Sequence, residues 1–500
     1  MSEKYDELIN YVKDIEVYNN ACTVLSWDME TTTPQNGIDT IVNTMGILST
    51  KAFEMSTSEK MEQMLNGLMS EEESEKLDEL QKAVVKEMKR SFDENKNVPV
   101  DFYTEYSMHI AKAQNVWQNA KRNNDYESFK PYLEKNIEMT KKLYNYMKGE
   151  GKGNYDSMLD DYERGMNMEV IDKLFNELKG ELIPLVKAIS QKPQPDRSKF
   201  TRKCPAHKQK EFCRYLLEYI GFNMESGVMA ESEHPFTSNV DRNDVRITNH
   251  YYENDFLNAA FSVIHEGGHG IFEQNCDEKY DHTPFEGCRY MGLHESQSRF
   301  YENILARNIN FWKPVMPKLY EIFPEFSDIT LEELYREVNR VQNGFIRVDS
   351  DEVTYCFHII LRYELEREMF NGNVSVDELP KLWADKMEEY LGIRPETDDK
   401  GVLQDTHWGG GMFGYFPTYL LGSIYDGMFL EKIEEELGDI DTILAEGRIK
   451  EITSWLNENV HKYGSYREPM QVISQVCGKE LSVKPLIKYF KEKYTKVYDL

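Results

Sequence analysis

Helix breakers are sparse in this chain: 29 glycines and 17 prolines among 500 residues. Their joint share falls below the roughly 12% of an average protein. A long chain with so few breakers folds most readily into long helices. Apolar spacing agrees, because Leu8, Tyr11, Val12 and Ile15 recur at intervals of three and four, one helical stripe. Helices are predicted over 58–90, 101–120, 125–147 and 168–189, with turn-like breaks at 149–154 and 191–196.

The region 232–250 reads differently. It is dense in Pro, Asn, Asp and Thr, and β-branched residues alternate with polar ones in Asp244-Val245-Arg246-Ile247-Thr248. A short hairpin or small sheet is expected there. A helix then starts near Asn254 or Asp255 and runs past His269. Further helices are expected over 293–310, 331–344, 351–370 and 380–390. A Gly-rich loop follows at 401–414, and helix returns from about Tyr425. No fixed-period repeat and no long polar linker divides the chain. The expectation is a mainly α protein with one domain over 1–500, bilobed around a cleft.

Charge excludes some functions. Eighty-eight acidic residues against 59 basic ones leave a formal net charge of −29. A nucleic-acid binder needs a basic face to neutralise phosphates, and an anionic membrane would repel this chain. Neither partner is expected. The N-terminus is polar and acidic, without a basic start and apolar run, and no apolar stretch reaches membrane length. Seven scattered Cys with no C-x-x-C pair suit free thiols in a reducing compartment. A soluble, cytoplasmic protein is expected. The acidic runs Glu71-Glu72-Glu73 and Glu434-Glu435-Glu436 read as solvated helix faces.

Only 11 His are present, yet two fall in His265-Glu266-Gly267-Gly268-His269, an H-E-x-x-H sequence. On a helix, residues four apart share a face, so both imidazoles can reach one ion. Glu266 is placed to take a proton from the attacking water. A catalytic zinc has three protein ligands and one open position. Glu295, on a second helix starting near Leu293, is the candidate third ligand. Gly267 and Gly268 each cost on the order of 1 kcal/mol in a helix. Close approach of substrate or of a neighbouring backbone, or tight packing, would explain them.

Several motifs together resemble one family, the carboxypeptidase Taq family of zinc metallocarboxypeptidases. His234-Pro235-Phe236 matches H-P-F, Asp244 to Thr248 matches D-x-R-x-T, and His294-Glu295-Ser296-Gln297 matches H-E-S-Q. Gly401 to Trp408 matches G-x-x-Q-D-x-H-W, and Ser26-Trp27-Asp28 is similar to the family's N-terminal region. One motif departs: I-R-x-x-A-D is Ile346-Arg347-Val348-Asp349-Ser350-Asp351, with Ser at the Ala position. The resemblance implies a nearly all-helical fold with a deep groove and a small sheet beside the metal. It implies removal of C-terminal residues from peptides with broad side-chain tolerance. It further implies a homodimer and one divalent ion per chain, zinc or, in some members, cobalt.

Amide hydrolysis also needs a donor for the developing oxyanion. His407, Tyr415 and Tyr419 are the candidates. An exopeptidase must hold a free α-carboxylate, for which the planar fork of Arg is suited. Arg246 or Arg347 could hold it; a salt bridge to Asp244 or Asp351 is the competing role. His234 lines the site or bonds to backbone. Gln404 and Asp405 orient neighbouring groups, while His250 and His294 are not ligands. Because peptide C-termini are anionic, the metal, Arg246 and Arg347 must reverse the acidic field locally. A zinc oligopeptidase cutting internal bonds of short peptides is the alternative reading. A scaffold with a purely structural metal would have no need of Glu266.

Overall fold

The structure, a computed structural model, describes residues 2–500. It is built of helices with one three-stranded sheet. The helix Met168–Ile189 spans the predicted residues, and the Asn167 side chain accepts the Val170 N–H at its start. Predicted helix 58–90 is instead three helices, Glu59–Leu68, Glu71–Ser74 and Glu79–Asn95. Local capping divides them. Ser58 caps the first, and Asp78 forms a reciprocal capping box with Gln81 at the third. Glu73 is no solvated side chain: it is buried and salt-bridged to Lys4 and Lys76, tying down the N-terminus.

Predicted helix 293–310 is likewise divided. An α-helix, Met291–Arg299, widens into a π-helical segment, Phe300–Leu305, and a new helix, Ile309–Ile322, restarts after the Asn308 cap. The helix expected from Tyr425 begins earlier, as Phe416–Leu437. Pro417 does not interrupt it, because the first turn has no use for the missing N–H. The loop over 401–414 carries only a turn-rich path, as expected.

Two strands fall in the expected region: β2 (Thr237–Asp241) and β3 (Asp244–Asn249) form an antiparallel hairpin. The third, β1 (Gly227–Glu231), precedes that region and pairs parallel with β3. The order is β1-β3-β2. Val245 and Ile247 are fully buried, so Arg246 between them faces the other side of the sheet. There its guanidinium lies over Trp27, and Trp27 packs edge-on against Phe236.

The largest hydrophobic cluster runs from Trp117 to Tyr498. A second, within residues 5–92, closes onto Tyr280 and Phe285. All seven cysteines are free thiols. Among the described residues, no helix is long and apolar enough to cross a membrane.

Candidate active site

The motif helix, Phe256–Gln274, starts where Asp255 accepts the Asn258 N–H. Ala259, Ala260, Val263 and Ile264 are completely buried, which fixes the helix rotation and turns His265 and His269 to one side. The two glycines then set its neighbours. A Cβ on Gly267 would lie 2.7 Å from Ile220 Cδ1. One on Gly268 would lie 2.6 Å from the carbonyl oxygen of Gln297, a backbone atom. Of the readings offered by sequence, close approach of a neighbouring backbone holds for Gly268, and side-chain packing for Gly267. The helix Met291–Arg299 is gripped on its other side too, where a Cβ on Gly422 would lie 2.8 Å from the Ser296 nitrogen. Glu295 is thereby pressed toward the two histidines.

Ligand atoms of His265, His269 and Glu295 all lie within 4.8 Å of one another. Glu295 Oε2 is 3.4 Å from His269 Nε2 and 3.8 Å from His265 Nε2. Each ring is oriented through its other nitrogen. His265 Nδ1 donates to Glu302 Oε2 at 2.9 Å, and Arg307 donates to Glu302 Oε1 at 3.2 Å. His269 Nδ1 donates to His294 Nδ1 at 2.5 Å, and His294 Nε2 donates to Glu273 Oε1 at 2.8 Å. These are the tautomers that leave both Nε2 lone pairs for a metal.

Electrostatics agree. Burial, with His294 nearby, pushes His269 down to about 3, so it is a neutral imidazole ready to bind a cation. Burial opposes charge on His265, but Glu295, Glu302 and Glu266 outweigh it and raise it to about 9. That anionic pocket attracts a proton, and it attracts a divalent ion more strongly. Burial works against Glu302 as well, yet the His265 bond and the Arg307 charge hold it at about 2. Donor set and surroundings therefore fit a transition-metal ion.

Beside the triad, Glu266 is buried, and that burial raises its pKa. Thr237 Oγ1, from β2, donates to Glu266 Oε2 at 2.6 Å. The small sheet thus reaches the site through this hydroxyl and through Asn239, whose Nδ2 donates to Glu273 Oε2 at 2.6 Å.

The model of the carboxypeptidase Taq (M32) metallopeptidases matches residues 7–494. The chain belongs to this family. Carboxypeptidase 1 of Bacillus subtilis is 42% identical over 494 residues, covering 98% of each chain. Thermostable carboxypeptidase 1 of Thermus thermophilus is 33% identical over 99% of each. The crystal structure of M32 carboxypeptidase from Deinococcus radiodurans R1 superposes with a TM-score of 0.96 at 29% identity, covering 100% of both chains. This chain is accordingly a metallocarboxypeptidase, a hydrolase that removes C-terminal residues from peptides.

The remaining M32 motif residues fall into two groups. Around the loop 401–414, Asp405 is shared by two arginines: Arg347 Nε binds Oδ1 at 2.9 Å and Arg362 Nε binds Oδ2 at 2.6 Å. Arg347 also donates to the Tyr355 hydroxyl, and its backbone N–H donates to Gln404 Oε1. His407 Nε2 meets the Tyr419 hydroxyl at 3.1 Å, and burial, with Arg347 beside it, lowers His407 to about 3. Tyr415 packs edge-on against Tyr419, and burial with Glu295 nearby raises its phenol to about 12. Tyr355 links this group to the metal ligands: Arg299 lies over its ring, and Arg299 is 3.8 Å from Glu295.

The second group is on the sheet. Asp244 takes the Arg246 guanidinium in two-point fashion, at 2.7 and 2.6 Å. His234 is exposed in the β1–β2 connection, where its carbonyl accepts from Ser232 Oγ. Thr248 closes the motif by accepting the Phe236 N–H. His250 bonds to the Ser232 carbonyl. Sequence reasoning missed Thr237, Glu273, Glu302, Tyr355 and Arg362. For Glu273 a signal existed: it follows His269 by four residues, on the same helical face.

Proposed function

We propose that the protein uses one zinc ion per chain, held by His265, His269 and Glu295, with cobalt as a functional substitute. Two neutral nitrogens and one carboxylate are the donor set of catalytic zinc peptidases. When bound, such an ion acts as a Lewis acid toward water and the scissile carbonyl. Glu266, steadied by Thr237, accepts the proton of the attacking water and returns it to the leaving amine. Tyr419, with His407 behind it and Tyr415 beside it, supplies a hydroxyl toward the developing oxyanion.

Charge counting around Asp405 carries the exopeptidase assignment. One carboxylate between the two guanidiniums of Arg347 and Arg362 leaves a positive charge unmatched. A substrate α-carboxylate would match it, with Arg347 as its anchor. Arg246 already has Asp244 to itself and faces away from the side of the sheet that meets Glu266. It is the weaker candidate, together with the exposed His234, for lining a more remote part of the peptide groove. A peptide with an amidated C-terminus tests this: loss of cleavage supports it, and undiminished cleavage favours the oligopeptidase alternative.

Peptides are the substrates, taken with broad side-chain tolerance in a groove between lobes of one domain over 1–500. A homodimer in the cytoplasm completes the reading. The free thiols support a reducing compartment, and sedimentation velocity tests the dimer.

A further inference from the structure

One cavity lies apart from the metal ligands. It measures about 400 Å³ and opens between the helices Phe416–Leu437 and Lys484–Tyr498, behind the π-helical segment. That volume lies within the range of small-molecule sites. The two helices touch at Gly427, where an added Cβ would lie 2.6 Å from the Leu486 nitrogen. Beyond that contact, residues 430, 431 and 434 of one helix and 488, 492 and 496 of the other line the space. Both sets have helical spacing, so one stripe of each helix borders the space.

The two walls differ in charge. Lys488, Lys493 and Lys496, with one acid, Glu492, stand on the last helix, and Glu431, Glu434, Asp439 and Asp441 stand opposite. Leu430, Ile440, Tyr335 and Tyr489 supply apolar surface between them. A ligand that suits such a space carries both signs of charge and an apolar body. A free hydrophobic α-amino acid has that form, and the reaction releases such molecules.

The inner wall includes Arg307. Its guanidinium donates to Glu302 at 3.2 Å, and Glu302 accepts from His265 at 2.9 Å. A carboxylate in the cavity would compete with Glu302 for that guanidinium.

We infer that this cavity is a second site for the released amino acid, and that its occupancy slows turnover through Arg307, Glu302 and His265. The inference rests on the carboxypeptidase reading for its ligand. The test measures L-phenylalanine on the zinc-loaded enzyme, by calorimetry and by inhibition of a substrate that releases a different residue. Leu430→Trp fills the cavity, and Lys488→Glu reverses one charge of the basic wall without touching the core. The expected result is a fall in kcat with rising L-phenylalanine in wild type, and at least tenfold weaker binding and inhibition in both variants. Their uninhibited kcat/KM should stay within twofold of wild type. Inhibition that raises KM alone, or identical isotherms in all three proteins, would overturn the inference. Wild-type enzyme that binds L-phenylalanine but releases no C-terminal residue would refute the carboxypeptidase reading instead, leaving the isotherms to judge the site.

Discussion

Gly268 has the Gln297 carbonyl oxygen 2.6 Å from where its Cβ would stand. This contact sets the distance between the helix that carries both histidines and the helix that carries Glu295. Gly268→Ala must push them apart. Overpacking of this kind costs about 1–3 kcal/mol. We expect a lower unfolding midpoint, and at least tenfold weaker metal binding in a chelator-competition titration. A variant with unchanged metal affinity would show that the crossing distance does not govern the site.

The two orienting chains, His294–Glu273 behind His269 and Arg307–Glu302 behind His265, should each matter for affinity. Loss of such support typically costs about 10–100-fold in metal binding or activity. His294→Ala and Glu302→Gln should each fall in that range by metal titration. Equal affinity in all three proteins would mean that the ligands hold their orientation unaided.

Glu266→Gln should keep the metal and lose about 10²–10⁴-fold in kcat, the usual contribution of a general base. Thr237→Val removes a hydrogen bond to a charged group, worth about 1.5–3 kcal/mol. It should lower kcat by about 10–100-fold with metal content unchanged. Metal analysis beside steady-state kinetics separates these effects, and an active Glu266→Gln enzyme would sink the general-base role.

Glu366 should make stability pH-dependent. It is fully buried beneath the loop 401–414, accepting from Tyr155, Trp408 and the Gly414 N–H. Burial outweighs those three donors and raises it to about 7, from an unfolded value of 4.5. The folded form therefore holds a proton that the unfolded chain releases. Its contribution is complete below pH 4.5 and is lost as pH rises through 7. That difference is worth about 3 kcal/mol. Glu366→Gln should flatten the fall in thermal midpoint between pH 5 and pH 8; an unaltered slope would count against this origin.

What could be read before folding was local. The spacing in Met168–Ile189 reports one helix face, and it needs only the 3.6-residue period. The same period puts His265 and His269 on one side, and it could have added Glu273. The breaks at Ser58 and Asp78 were missed because capping competes with an otherwise helical pattern over a single turn. β1 escaped notice because its parallel partner β3 lies 18 residues further along the chain. Nothing in its own five residues announces that pairing.

The chain by itself determined a helical protein, a metal motif and its third ligand, because these follow from backbone periodicity and from side-chain chemistry at fixed spacing. Tertiary structure decided how those ligands are aimed. Gly268 and Gly422 matter only once two other backbones arrive beside them. The tautomers of His265 and His269 are set by Glu302 and His294, on another helical run. Thr237 reaches Glu266 across a sheet contact, and Asp405 acquires two arginines from separate segments. Hydrogen bonds and charge balance act through space, so residues far apart in sequence settle the chemistry of those the motif names.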